Sequence, residues 1–119
     1  MTSVLIVDDA LFMRVTISKM FEQWGFEVVG QASNGKQAVK LYKEFQPDLV
    51  TMDLTMPVMS GLDAVKKILA EFPEANIIMI TALGQHRFVV EALESGAKDF
   101  ITKPFTQEKL KSVIDKIFL

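Results

Sequence analysis

Five times along this chain a strand-length apolar run is followed by a segment whose apolar residues recur with a helical period. That alternation constrains the fold more than any other feature of the sequence. The runs fall at residues 4–7, 27–32, 48–52, 76–81 and 99–102. Most are apolar on both faces and rich in β-branched residues, as strands buried on both sides of a parallel sheet must be. Between them, Met13, Ile17, Met20, Phe21 and Trp24 form a first helical stripe, with Gly25 offering a left-handed stop. Ala38, Leu41, Tyr42 and Phe45 form a second, with Asn34 and Gln37 placed as a capping pair and Pro47 beyond its end. Leu62, Val65, Ile68, Leu69 and Phe72 form a third, opened by Ser60 and stopped before Pro73. A fourth helix is predicted over residues 85–95, ending at Gly96, and Thr106 caps a fifth with Leu110, Val113, Ile114 and Ile117 inward.

Strands that alternate with helices pair in parallel through right-handed crossovers, so helices cover both faces of the sheet. At 119 residues the chain has the size of one domain, and five strands are too few for a closed barrel of this kind. The expectation is an α/β fold: a flavodoxin-like (βα)5 doubly wound open parallel sheet in the order 2-1-3-4-5, filling residues 1–119 as a single domain. Other classes drop out on composition. There is no cysteine, hence no disulfide, thiolate metal site or cysteine nucleophile. A net charge of -2 gives no basic field for nucleic acid or an anionic membrane. The apolar runs are far shorter than the roughly 20 residues of a membrane span. The first residues, which pass through Val4 to Val7 into two aspartates, read as neither signal nor transit peptide, and a cytoplasmic location is expected.

In an open sheet of this kind ligands bind beyond the carboxyl ends of the strands, where the strand order reverses. Asp8 and Asp9 follow the first strand, Asp53 the third, Thr81 the fourth and Lys103 the fifth. Three carboxylates on one rim repel one another, and at least one is pushed towards protonation unless a cation binds there. A hard divalent ion, Mg²⁺ or Mn²⁺, suits oxygen ligands of this sort. Lys103 and the Thr81 hydroxyl can meet phosphoryl oxygens, and Asp53 can serve as the nucleophile that forms an acyl phosphate. Asp8 and Asp9 as mere helix caps, and Lys103 as an ordinary surface lysine, are the bland alternatives; their convergence on one rim argues against both. His86, the one histidine, reads as a solvated helix residue.

The chain resembles the receiver domain of two-component response regulators over essentially its whole length. The residues that carry the likeness are Val4-Leu5-Ile6-Val7-Asp8-Asp9, Asp53 with Met56-Pro57 and Gly61, Thr81-Ala82, Gly96-Ala97 and Lys103-Pro104-Phe105. Within that family, residues 8–14 and 82–85 are similar to the chemotaxis regulators. The resemblance implies that Asp53 is the phosphoacceptor, with Asp9 a direct metal ligand, Asp8 acting through coordinated water and the Thr55 carbonyl completing the set. It implies that Lys103 contacts the phosphoryl group, that the Lys103–Pro104 bond is cis, and that Thr81 and Phe100 form the switch. It further implies a histidine kinase as phosphodonor, a flagellar motor switch protein as target, self-catalysed phosphorylation and slow autodephosphorylation. The alternative is a receiver belonging to a larger regulator with a DNA-binding or enzymatic output domain.

The fourth helix carries more apolar residues than one buried face needs: Phe88, Val89, Val90, Ala92 and Leu93. Such a surplus points to a protein partner, with Gln85, Val89, Leu93 and nearby Phe100 as the expected contacts. Rival chemistries on this fold lack their residues. A flavin carrier would not place two aspartates where the phosphate sits, the dinucleotide Gly-x-Gly-x-x-Gly is absent, and Thr55 stands where a haloacid-dehalogenase-type phosphatase needs a second aspartate.

Overall fold

Val4, Leu5, Ile6 and Val7 are at most 1% exposed, a degree of burial that a strand reaches only when helices cover it on both sides. The computed structural model describes residues 1–118 and shows that arrangement. β1 (Ser3–Val7), β2 (Glu27–Ala32), β3 (Leu49–Asp53), β4 (Ile77–Thr81) and β5 (Asp99–Thr102) form one parallel sheet, ordered β2-β1-β3-β4-β5. α1 (Leu11–Gln23), α2 (Gly35–Phe45), α3 (Gly61–Glu71), α4 (His86–Ser95) and α5 (Gln107–Phe118) connect and follow them. Among the described residues no helix is long and apolar enough to cross a membrane.

The alternation of side chains along each strand splits the interior in two. Val4, Ile6, Leu49, Ile78, Ile80 and Ile101 pack against Ile17 and Phe21 of α1 and Leu110, Val113 and Ile114 of α5. Leu5, Val7, Val50, Met52, Ile77 and Met79 pack against α2, α3 and α4. Each of these aliphatic side chains contributes about 1.5–3 kcal/mol by leaving water. The central strands β1, β3 and β4 are buried nearly throughout, whereas β2 and β5 lie at the edges and are only partly covered.

The end signals act much as their chemistry dictates. The Asn34 side-chain Oδ1 accepts from the Gln37 backbone amide, while the Gln37 side chain accepts from the Ser33 N–H, one residue before the expected reciprocal partner. Ser60 caps α3 at the Asp63 amide and Thr106 caps α5 at the Lys109 amide. Gly25 takes the left-handed conformation with φ of 85°. β3 and β4 each begin one residue later than the runs suggest, because Asp48 and Asn76 belong to a polar knot instead. Asp48 accepts from the Ser3 amide at 2.8 Å and the Asn76 side chain donates to the Asp48 carbonyl at 3.2 Å. Phe45, expected on the inner stripe of α2, is the last residue of that helix and is 46% exposed.

Candidate functional site

Register decides which residues share the rim. Val7 of β1 stands opposite Ala32 of β2 and Met52 of β3, Asp53 opposite Ile80 of β4, and Thr81 opposite Thr102 of β5. The strands therefore end level, and the residues at or just past their ends (Asp8, Asp53, Thr81 and Lys103) meet. The ladder continues far enough to fix them: the Asp8 amide donates to the Ala32 carbonyl, the Leu54 amide to Ile80, and the Lys103 amide to Thr81. Lys103–Pro104 is a cis peptide bond, as the resemblance implied.

Carboxylate oxygens of Asp8, Asp9 and Asp53 all lie within 4.8 Å of one another. Asp8 is 1% and Asp53 7% exposed, while Asp9 faces solvent. Each oxygen of Asp8 has a partner: Oδ1 accepts from the Ala10 amide and Oδ2 from Lys103 Nζ, both at 2.9 Å. No side chain caps α1, so the aspartates are not there for that purpose. Lys103 Nζ also stands 3.5 Å from Asp53 Oδ1 and so bridges two of the acids.

The electrostatics are frustrated. Burial first, and then the charges of Asp8 and Asp9, push the Asp53 carboxyl from 3.8 up to about 6, although Lys103 pulls it down. Like-charge crowding was the expected cause, and desolvation is the larger one. Burial also works against the Lys103 ammonium, but its hydrogen bond to Asp8 and the charges of Asp53 and Asp8 outweigh that and raise its pKa. Three hard oxygen donors with neither imidazole nor thiolate among them fit Mg²⁺ or Mn²⁺ better than a softer metal.

The loop after Asp53 is shaped by backbone contact. A Cβ on Gly61 would lie 1.9 Å from the Asp53 carbonyl oxygen, so only glycine lets α3 begin there. The Gly61 amide donates to Leu54 at 2.8 Å and closes the loop. Inside it the Met59 amide donates to the Pro57 carbonyl across Val58, whose φ is 70°. That is a γ-turn of the strained, positive-φ kind, held by a β-branched residue.

The Thr81 hydroxyl is already engaged. It donates to Gln85 Oε1 at 2.8 Å, and the Ala82 amide donates to the same oxygen at 3.1 Å. The Gln85 side-chain amide in turn donates to the Thr55 hydroxyl. Sequence reasoning placed Gln85 on the outer face of α4 and missed this bridge. The one available signal was its place four residues after Thr81, at the start of a helix.

On α4 one expectation is corrected. Val89, predicted as a partner contact, is 3% exposed and belongs to the core beside Ala92, while Leu93 is half-buried against the same cluster. Docking turned the 89/92/93 row inward and left Phe88 (43%) and Val90 (38%) outside. Phe100 is 38% exposed and lines, with Thr81, His86, Val89 and Thr102, a cleft of about 170 Å³. His86 is exposed on α4 and is not among the groups clustered at the acidic rim.

Residues 4–115 match the model of the response regulator receiver domain. The chain is 50% identical to the chemotaxis protein CheY of Thermotoga maritima, over 96% of this chain and 95% of that protein. Among solved structures, that of a CheX–CheY–BeF3–Mg complex from Borrelia burgdorferi is similar, with a TM-score of 0.95 and 37% identity, covering 99% of this chain and 90% of that one. The response regulator domain of Thermotoga maritima CheB is also similar, with a TM-score of 0.86 and 34% identity over 99% of this chain and 97% of that one.

Proposed function

The chain belongs to the response regulator receiver domain family, and on that premise we propose that Asp53 accepts a phosphoryl group from a histidine kinase and thereby switches a protein-binding face. One observation carries the reading: a nearly buried Asp53 held among the Asp8 and Asp9 oxygens, within 4.8 Å, with the Lys103 ammonium 3.5 Å away. A structural role would not gather three like charges and half-neutralise one of them.

A carboxylate oxygen of Asp53 attacks phosphorus; the O–P bond forms as the N–P bond of the donor phosphohistidine breaks, and the imidazole departs with a proton from solvent. Asp9, Asp53 and the Thr55 carbonyl would hold Mg²⁺ or Mn²⁺ directly. Asp8, whose two oxygens are already engaged, would act through water. When bound, the cation neutralises charge on the phosphoryl oxygens and on the acids. Lys103 moves its hydrogen bond from Asp53 to a phosphoryl oxygen, a short step given that it already spans Asp8 and Asp53. Water attack on phosphorus reverses the modification and restores the carboxylate.

The output passes through Thr81 and Phe100. The cleft between them favours an inward turn of Phe100 once Thr81 is drawn to the phosphate. The partner face we propose consists of Phe88 and Phe100, with Leu93 at its edge and without Val89. Similarity to chemotaxis regulators supports a flagellar motor switch protein as target, in the cytoplasm. The likeness to the receiver of CheB supports the second reading, a receiver that governs a fused output domain.

Intact mass after incubation with acetyl phosphate tests the reading. A gain of one phosphoryl group that requires Mg²⁺ is expected in the wild type and not in Asp53→Asn. An unchanged mass in the wild type, or an equal gain in the variant, refutes Asp53 as acceptor.

A further inference from the structure

Gln85 occupies the N-cap position just before α4 and yet does not cap the helix with its side chain. Its carbonyl accepts from the Phe88 and Val89 amides, both at 3.1 Å, so its backbone is the start of the helix. Its side chain instead turns back over the site. The orientation of that amide is fixed by chemistry, because the Ala82 N–H can only donate and must therefore face the oxygen. The nitrogen then faces Thr55, whose hydroxyl accepts. The Thr81 hydroxyl has a single proton, and of its two acceptors Gln85 Oε1 at 2.8 Å is nearer than the Ala82 carbonyl at 3.1 Å. One glutamine thus ties the loop after β3 to the loop after β4, and both to the first turn of α4.

We infer that Gln85 is a positioning residue, a latch that holds the Thr81 hydroxyl away from Asp53 and must release it before Thr81 can serve an incoming phosphoryl group. The inference rests on the phosphoacceptor reading of Asp53. The conflict is stoichiometric: a hydroxyl with one proton cannot donate to Gln85 and to a phosphoryl oxygen together. Release frees the side chain of the N-cap residue of α4, so the modified site reaches the helix through this one side chain. Thr55, relieved of the same amide, is also free to adjust. The latch therefore opposes the modified state by about the net worth of one hydrogen bond.

Two substitutions separate the arms of the latch. Gln85→Ala removes both. Gln85→Glu keeps an oxygen for the Thr81 hydroxyl and the Ala82 amide and loses the donor to Thr55. The probe is beryllofluoride with Mg²⁺, a phosphoryl analogue that binds without turnover. Gln85→Ala is expected to bind it about three- to tenfold more tightly than the wild type, in keeping with a barrier of one hydrogen bond removed. Gln85→Glu is expected to bind no more tightly than the wild type. A purely structural role for Gln85 would weaken binding in both. In the wild type, the Gln85 side-chain amide resonances should shift to those of a free amide on adding Mg²⁺ and beryllofluoride, a readout that needs no variant to fold. Equal affinity of Gln85→Ala and wild type, or resonances that stay put, overturns the latch while leaving the acceptor intact. Failure of the wild type to bind beryllofluoride at all overturns both.

Discussion

The acidic rim and the α4–β5 face lie within reach of one another, but they are built on opposite economies. At the rim, three carboxylates and one ammonium are locked in place by strand register, and their mutual repulsion is only partly relieved. On the α4–β5 face, apolar groups are distributed around a helix and along an edge strand, with Phe88, Val90 and Phe100 left partly in water. The rim is tense and fixed in position; the face is apolar and only partly packed. On the proposed reading a cation or phosphoryl group would relieve the first, and the small cleft beside Phe100 would give the second somewhere to go. Such a pairing, a charged trigger beside a packing choice, is what a two-state switch requires.

The sharpest way to break the contrast is to put a charge on each side of α4. Val89→Asp buries an unpaired carboxylate in the core under the helix, since Val89 is 3% exposed, and should cost about 3–5 kcal/mol in denaturant titration. Phe88→Asp, one residue away and 43% exposed, should cost less than about 1 kcal/mol and weaken the partner instead. Equal costs would mean that α4 does not present the faces described, and the proposed partner surface would have to be redrawn.

These two neighbours also show what the sequence can and cannot reveal. Asp8, Asp53, Thr81 and Lys103 were legible because a strand end fixes a residue in space once the strand order is known, and the order follows from the βα alternation. Val89 was not, because residues 88–93 offer apolar groups on several sides of the helix, and only docking against α3 and the sheet selects one row. Gln85 escaped for a related reason. A glutamine has no obligatory partner in a sequence, and its bridge appears only when two loops 30 residues apart are brought together. Gly61 was legible as part of a motif, but its cause, an Asp53 carbonyl where a Cβ would be, is tertiary.

On the rim the test is thermodynamic. In metal-free buffer Asp53→Asn should raise stability by about 2–3 kcal/mol at pH 7, the equivalent of lifting a carboxyl from 3.8 to about 6. An acid that is harder to ionise when folded destabilises the native state as pH rises through that window. The gain should therefore be complete above about pH 6, shrink as pH falls, and vanish below 3.8, where the carboxyl is protonated folded or unfolded. Saturating Mg²⁺ should close most of the gap at pH 7 by stabilising the wild type alone. A gain that ignores pH would trace to something other than the ionised Asp53.

The smallest effect concerns strain in the backbone. Among the described residues two other than glycine have positive φ, Val58 beside the site and Gln46 at the end of α2. A β-branched side chain suffers more in that conformation than an unbranched one, so Val58 stores more strain than Gln46. Val58→Gly should raise stability by about 0.5–1 kcal/mol even after the entropy glycine restores to the unfolded chain, with the urea slope unchanged. Gln46→Gly, which relieves a milder clash at an ordinary helix end, should change stability by less than half as much. If Val58→Gly is the less favourable of the two, the loop is unstrained and the tension of the rim is electrostatic alone. If it is the more favourable, the loop after Asp53 is held taut on both counts, and relaxing it should slow acetyl phosphate labelling of Asp53 while leaving the α4 face as it was.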